Sequence, residues 1–201
     1  MAFLAQLPEA QVVLFGIERG AAGRVVKAYL EFGDRVAAAA AQLPRPESVV
    51  THTGFKWHVG QSGGGSVARY TAYPFLTIEQ VAGRILGGFY RDPADEVYRL
   101  VDDLLDLAGT RLQPGQLRYL EACESTNVRR SFDINAYFAK LTVAEIFPLL
   151  VRAGRCFGVG QARVDAFYGP IREEYAGHLS AGVDREGRPF PVICQVRNLG
   201  G

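Results

Sequence analysis

RSFDINAY, residues 130–137, is the stretch whose reading decides the fold. Phe132, Ile134 and Ala136, with Phe138 beyond them, fall on one side, and Ser131, Asp133, Asn135 and Tyr137 on the other. Successive side chains of a β-strand point to opposite faces. The stretch therefore predicts a strand that buries an apolar face and presents a carboxylate, an amide and a phenol on the other. The pattern recurs. In 24–32, RVVKAYLEF, Val26, Ala28, Leu30 and Phe32 oppose Lys27, Tyr29 and Glu31. In 49–59, VVTHTGFKWHV, His52, Lys56 and His58 oppose Phe55 and Trp57. In 67–73, Arg69, Thr71 and Tyr73 share a face.

Between these strands lie turn and helix signals. QVVLFG (11–16) reads as a strand, joined to 24–32 by a glycine-bearing turn at 19–23, so the two form a hairpin. The alanine-rich segment 34–43 favours a helix, which the PRPE of 44–47 ends. Thr77 with Gln80, and Thr142 with Glu145, have the spacing of capping boxes. Asp92 before Pro93 reads as an N-cap followed by proline at the first helical position. Strands follow at 117–122 and 130–138, an amphipathic helix at 162–175, and a closing pair at 178–184 and 190–196 with a turn at 184–187. AYPFLTIEQV (72–81) and AYFAKLTVAEI (136–146) repeat one junction, in which a strand ends and a capped helix begins. The order is ββ, one helix, ββ, αα, ββ, αα, ββ, an α+β arrangement in one domain over 1–201. Pairs joined by short loops are antiparallel, and the apolar stripes of the helices can cover the apolar strand faces. In a barrel with the helices outside, the polar faces would line a lumen.

The bulk properties bound the function. The chain is 48% hydrophobic and 21% charged, which suits a buried core. Its net charge of +1 argues against nucleic-acid or membrane-surface binding driven by gross electrostatics. The three cysteines are scattered, with neither a disulfide framework nor zinc spacing, and a cytoplasmic location is expected. The start lacks a basic region ahead of a long apolar run, so no signal peptide is read there, and no apolar stretch is long enough for a transmembrane helix.

Several motifs suggest chemistry. DDLLD, 102–106, could chelate a hard cation, but Asp95, Glu96, Arg99, Asp102, Asp103 and Asp106 read better as the charged face of an amphipathic helix with ordinary pairs to Arg99. The Gly/Ser run 61–66 lacks the lysine–hydroxyl ending of a phosphate loop and reads as a hairpin loop. His52 and His58 are six residues apart on one strand, about 20 Å, too far for a shared ion. The lumen-face set is the more informative one: Lys27, Tyr29, Glu31, Lys56, Arg69, Tyr73, Asp133, Asn135, Tyr137 and His178. Clustered cations bind phosphate groups, tyrosine faces shield a carbocation, and a carboxylate accepts a proton.

Repeated ββαα units, Lys27-x-Tyr29, the FKW of 55–57, the aromatic Tyr73, SFDINxY and the hairpin HLSAGVDREGRPFPVICQ (178–195) resemble the ABBA-type aromatic prenyltransferases. The resemblance implies an antiparallel barrel ringed by helices, in which a prenyl group passes from an allylic diphosphate, such as dimethylallyl diphosphate, to an aromatic small molecule or a peptide side chain. It makes Lys27, Lys56, Arg69 and Arg118 the diphosphate ligands, Tyr29, Tyr73 and Tyr137 the cation shield, and Glu18 or Asp133 the base. It implies no strict need for magnesium, though Mg²⁺ could assist. The family uses about five strand pairs; this sequence offers four. The competing expectations are a non-catalytic barrel that binds a small hydrophobic or anionic ligand, and an unrelated α+β association domain.

Overall fold

The alternating segments assemble into one antiparallel sheet of eight strands, each hydrogen-bonded to its neighbours in sequence. They are β1 (Val12–Gly20), β2 (Gly23–Glu31), β3 (Val49–His58), β4 (Ser66–Ala72), β5 (Arg118–Glu124), β6 (Arg130–Asn135), β7 (Tyr175–Val183) and β8 (Pro189–Val196). The computed structural model describes residues 2–20, 23–60, 65–113, 115–124 and 127–196; for Glu18, Gly20 and 191–196 it describes the backbone alone. Four short connections sit at one end of the sheet, here called the hairpin end, and the helical connections sit at the other. The sheet curls into a half-barrel. Register shifts between Val50 and His52 and between Ala176 and His178 add local bend and twist. Among the described residues no ladder joins β1 to β8, so the closure expected of a barrel is not seen there.

The helices lie on the face opposite the polar one. They are α1 (Ala2–Gln6), α2 (Asp34–Ala40), α3 (Ile78–Ile85), α4 (Glu96–Gly109), α5 (Val143–Cys156) and α6 (Gln161–Tyr168). Phe132 and Ile134, each 1% exposed, pack with Val81 and Ile85 of α3 and with Val101 and Leu105 of α4. Burying one such side chain is worth about 1.5–3 kcal/mol. Ala136 joins Ile146 and Leu150 of α5 in a second cluster. Leu30, Phe32 and Phe55 form a third with Phe3 of α1. Both capping boxes form: Thr77 accepts from the Gln80 N–H and Thr142 from the Glu145 N–H, with the reciprocal side-chain bonds present.

Four local expectations shift. Strand β6 stops at Asn135, and a 3-10 turn at Tyr137–Ala139 follows, so Phe138 is 52% exposed instead of seated with Phe132 and Ile134. Helix α4 is capped by Asp95, whose carboxylate accepts from the Val97 and Tyr98 N–H groups; Asp92 instead closes the preceding turn by accepting from the Ala94 N–H. Helix α6 ends at Tyr168, because Pro170 offers no N–H to continue it, and Tyr175 opens β7. On α4, Glu96 and Asp103 pair with Arg152 of α5, so the acidic face ties two helices together where pairs to Arg99 were expected.

Candidate functional site

Ladder register fixes which side chains share the concave face. Lys27 sits opposite Lys56, Tyr29 opposite Gly54, and Glu31 opposite His52. His52 in turn pairs with Tyr70, and Gly54 with Ala68. Further along, Ala68 pairs with Glu124, Ala122 with Ser131, Asp133 with Ser180, and Asn135 with His178. Lys27, Tyr29, Lys56, Asp133 and Tyr137 are thus brought to one face as expected, Tyr137 through its ring packed edge-on to His178 at 4.8 Å. Arg118 shares this face by register, but it is exposed near the helix end, 5.9 Å above the Phe138 ring and away from the lysines. The Glu18 side chain lies outside the described residues.

Arg69 and Tyr73 belong to the other face. Arg69 pairs with Thr53, which itself pairs with Leu30 of the buried face, and it is exposed. Tyr73 donates to Glu121, accepts from Arg84 of α3, and has the Arg84 guanidinium 3.8 Å above its ring. Glu121 also accepts from the Tyr119 hydroxyl at 2.8 Å. These residues join α3 to the sheet. The alternation of β4 is ambiguous because both of its faces carry a polar aromatic or cation; the concave side holds Ala68, Tyr70 and Ala72.

At the hairpin end the concave face carries a cation cluster around one carboxylate. Glu124, 7% exposed, accepts from Lys56 Nζ at 2.5 Å, Asn127 Nδ2 at 2.7 Å and Arg185 at 3.0 Å, with Arg129 at 3.9 Å. Burial alone would raise the Glu124 carboxyl; the hydrogen bonds from Asn127 and Lys56 outweigh it and hold the group at about 2. Burial lowers the Lys56 ammonium, Glu124 opposes that shift, and Arg129 and Lys27 add to it. Lys27 and Lys56 therefore feel each other's charge. A cleft of about 670 Å³ opens beside the cluster and reaches round to the helix-covered face, where Arg130 pairs with Cys123 and lies 5.3 Å above the Phe89 ring.

Next to the lysines stands an aromatic wall. The Tyr29 and Tyr70 rings lie 6.1 Å apart in edge contact, and His52 lies 5.9 Å from Tyr70. Gly54 makes room for them: a Cβ there would meet Tyr29 ring carbons at 3.1 Å and a Tyr70 carbon at 3.3 Å. Burial, then the neighbouring Tyr29 hydroxyl, pushes the Tyr70 phenol up, so it stays neutral. Burial lowers the His52 imidazole, while Glu31 and Asp133 draw it back up. Asp133 lies three strands away from β3, so the curl brings β3 and β6 within electrostatic reach.

Across from this wall, Asp133 accepts from His178 Nδ1 at 2.8 Å and from Ser180 Oγ at 2.5 Å. Tyr70, Glu124, Arg129, Ser180 and Arg185 were not expected at the site. Tyr70 could be found by counting parity from the Ala68–Gly54 pairing. The others sit in two separate hairpins, β5–β6 and β7–β8, and only the ladder joins them. The apolar cavity of about 50 Å³ between α4, α5 and the sheet is lined by core residues such as Val101, Ile134 and Leu150 and offers no group of convergent polar atoms.

Among the described residues no group of His, Cys, Asp and Glu could hold a metal ion, and no helix is long and apolar enough to cross a membrane. No protein-family model matches the chain, and no curated protein is significantly similar to it.

Proposed function

We propose that the concave face takes an allylic diphosphate and transfers its prenyl group to an aromatic small molecule or peptide side chain. One observation carries this reading: three cations, Lys56, Arg129 and Arg185, gather around the single carboxylate of Glu124, with Lys27 opposite Lys56 in the ladder, beside two tyrosine rings. A diphosphate would meet the surplus positive charge at the hairpin end. Its allyl group would then lie along Tyr29 and Tyr70, whose π faces stabilise a developing cation. Tyr70 replaces Tyr73 in this shield, and Arg129 and Arg185 replace Arg69 among the ligands. The lysines and arginines neutralise the leaving diphosphate, and magnesium is an assistant the scheme does not require.

A second reading has its own support. Lys56 is already held by Glu124, and no ladder between β1 and β8 encloses the face among the described residues. A carbocation exposed to water is captured as an alcohol, so an unenclosed face suits an anion-binding protein better than a transferase. Incubation with dimethylallyl diphosphate and a panel of tyrosine- and tryptophan-containing acceptors separates the two. Mass spectrometry should show a prenyl adduct. Pyrophosphate binding without adduct or diphosphate release favours the binding protein, and no binding removes both.

A further inference from the structure

Resting on the prenyl-transfer reading, we propose that His178 is the proton acceptor of the site and that Asp133 is its positioning residue. A carboxylate only accepts hydrogen bonds. The 2.8 Å contact therefore requires His178 to donate from Nδ1, which leaves Nε2 as the lone-pair nitrogen. The second oxygen of Asp133 is occupied by Ser180 Oγ at 2.5 Å, so the carboxylate is fixed from both sides. Both its partners are on β7, and Ser180 faces Asp133 directly in the ladder. The register shift between Ala176 and His178 sits at this position, a device that re-aims a side chain. The Tyr137 ring stands edge-on to the imidazole, at an interplanar angle of 88°, and limits its rotation. His178 and Asp133 are both about one-quarter exposed, so the imidazole is open to a ligand on the concave face.

An electron pair of the aromatic acceptor forms a bond to C1 of the allyl group. The C1–O bond breaks, and its pair leaves with the diphosphate. The proton displaced from the acceptor passes to His178 Nε2, and the resulting imidazolium is stabilised by Asp133. Ionisation of the diphosphate needs the cations, and only the proton transfer needs His178.

That division sets the test. Pyrophosphate release by the wild-type protein reports on the prenyl-transfer reading. In His178→Gln, pyrophosphate release should persist while adduct falls about 100-fold or more. Undiminished adduct in the variant overturns the assignment, even if the reading stands. Nitrogen-15 NMR of the wild-type imidazole at alkaline pH supplies a measurement independent of turnover and of variant folding. A single Nδ1–H tautomer is expected, giving way to a mixture in Asp133→Asn; a wild-type Nε2–H tautomer overturns the assignment whatever the activity.

Discussion

Replacing Glu124 by Gln should separate stability from ligand affinity. The carboxylate is held at about 2 against an ordinary value of 4.5, and a shift of one unit corresponds to about 1.4 kcal/mol. The side chain is 3% exposed, so little is lost to solvent screening, and the shift amounts to about 3 kcal/mol. Breaking a buried pair by removing one partner costs about 3–5 kcal/mol, and a glutamine carbonyl that still accepts one bond puts the expected loss at the lower end. The folded-state value is depressed, so the contribution is complete above the unfolded value and disappears as pH falls through the folded one. Urea unfolding of both proteins should give a gap of about 3 kcal/mol at pH 7 that narrows from about pH 4.5 and nearly closes by about pH 2. Taking the gap between the two proteins cancels other carboxylates, such as Asp184, that are also held low. The same variant leaves Lys56, Arg129 and Arg185 without their shared anion and should bind inorganic pyrophosphate more tightly. A gap that is absent, or equal at every pH, refutes the account of the cluster.

Three smaller perturbations probe the faces and the edge. Arg69→Ala and Tyr73→Phe should leave pyrophosphate affinity unchanged by calorimetry, with Tyr73→Phe costing about 1 kcal/mol of stability through its bonds to Glu121 and Arg84; a tenfold loss of affinity in either would put β4 on the wrong face. Gly54→Ala should push the Tyr29 and Tyr70 rings apart, at a cost of about 1–3 kcal/mol, and alter the near-ultraviolet circular dichroism; an unchanged spectrum would mean that the rings do not lie over Gly54. On β1, Phe15 and Ile17 are 75% and 78% exposed on a strand with one ladder partner among the described residues. Lysine at both positions should change stability by about 0.5 kcal/mol or less while reducing self-association in sedimentation; a large loss of stability would show that these side chains are buried.

Much of the fold was legible because local chemistry decided it. Thr77 and Thr142 signal helix starts whatever surrounds them, and the period-2 patterns of β2 and β6 fix their faces because one side is wholly apolar. Sequence and structure part where two signals compete. Asp92 and Asp95 both offer a cap, and the one that reaches two N–H groups of the first turn takes it. On β4 the concave side holds Tyr70 between two alanines, Ala68 and Ala72, while Arg69 and Thr71 lie on the other side with Tyr73 beyond them, so the larger polar set of that strand pointed to the wrong face. The Glu124 cluster was hidden for a different reason. Its carboxylate binds Lys56 from 68 residues away and Arg185 from 61 residues away, and no spacing rule connects them. Asp133 stood out in the sequence as a candidate base; its contacts to His178 and Ser180 on β7, from which the proposed positioning role follows, lie 45 and 47 residues away, beyond any spacing rule.

The most direct measurement is a crystal structure with a sulfur-bridged, unreactive analogue of dimethylallyl diphosphate. The diphosphate should lie within hydrogen-bond distance of Lys27 and Lys56, with the allyl group along the Tyr29 and Tyr70 rings and C1 turned toward His178. A ligand seated on the helix-covered face, or a concave face left without analogue at saturating concentration, would contradict it.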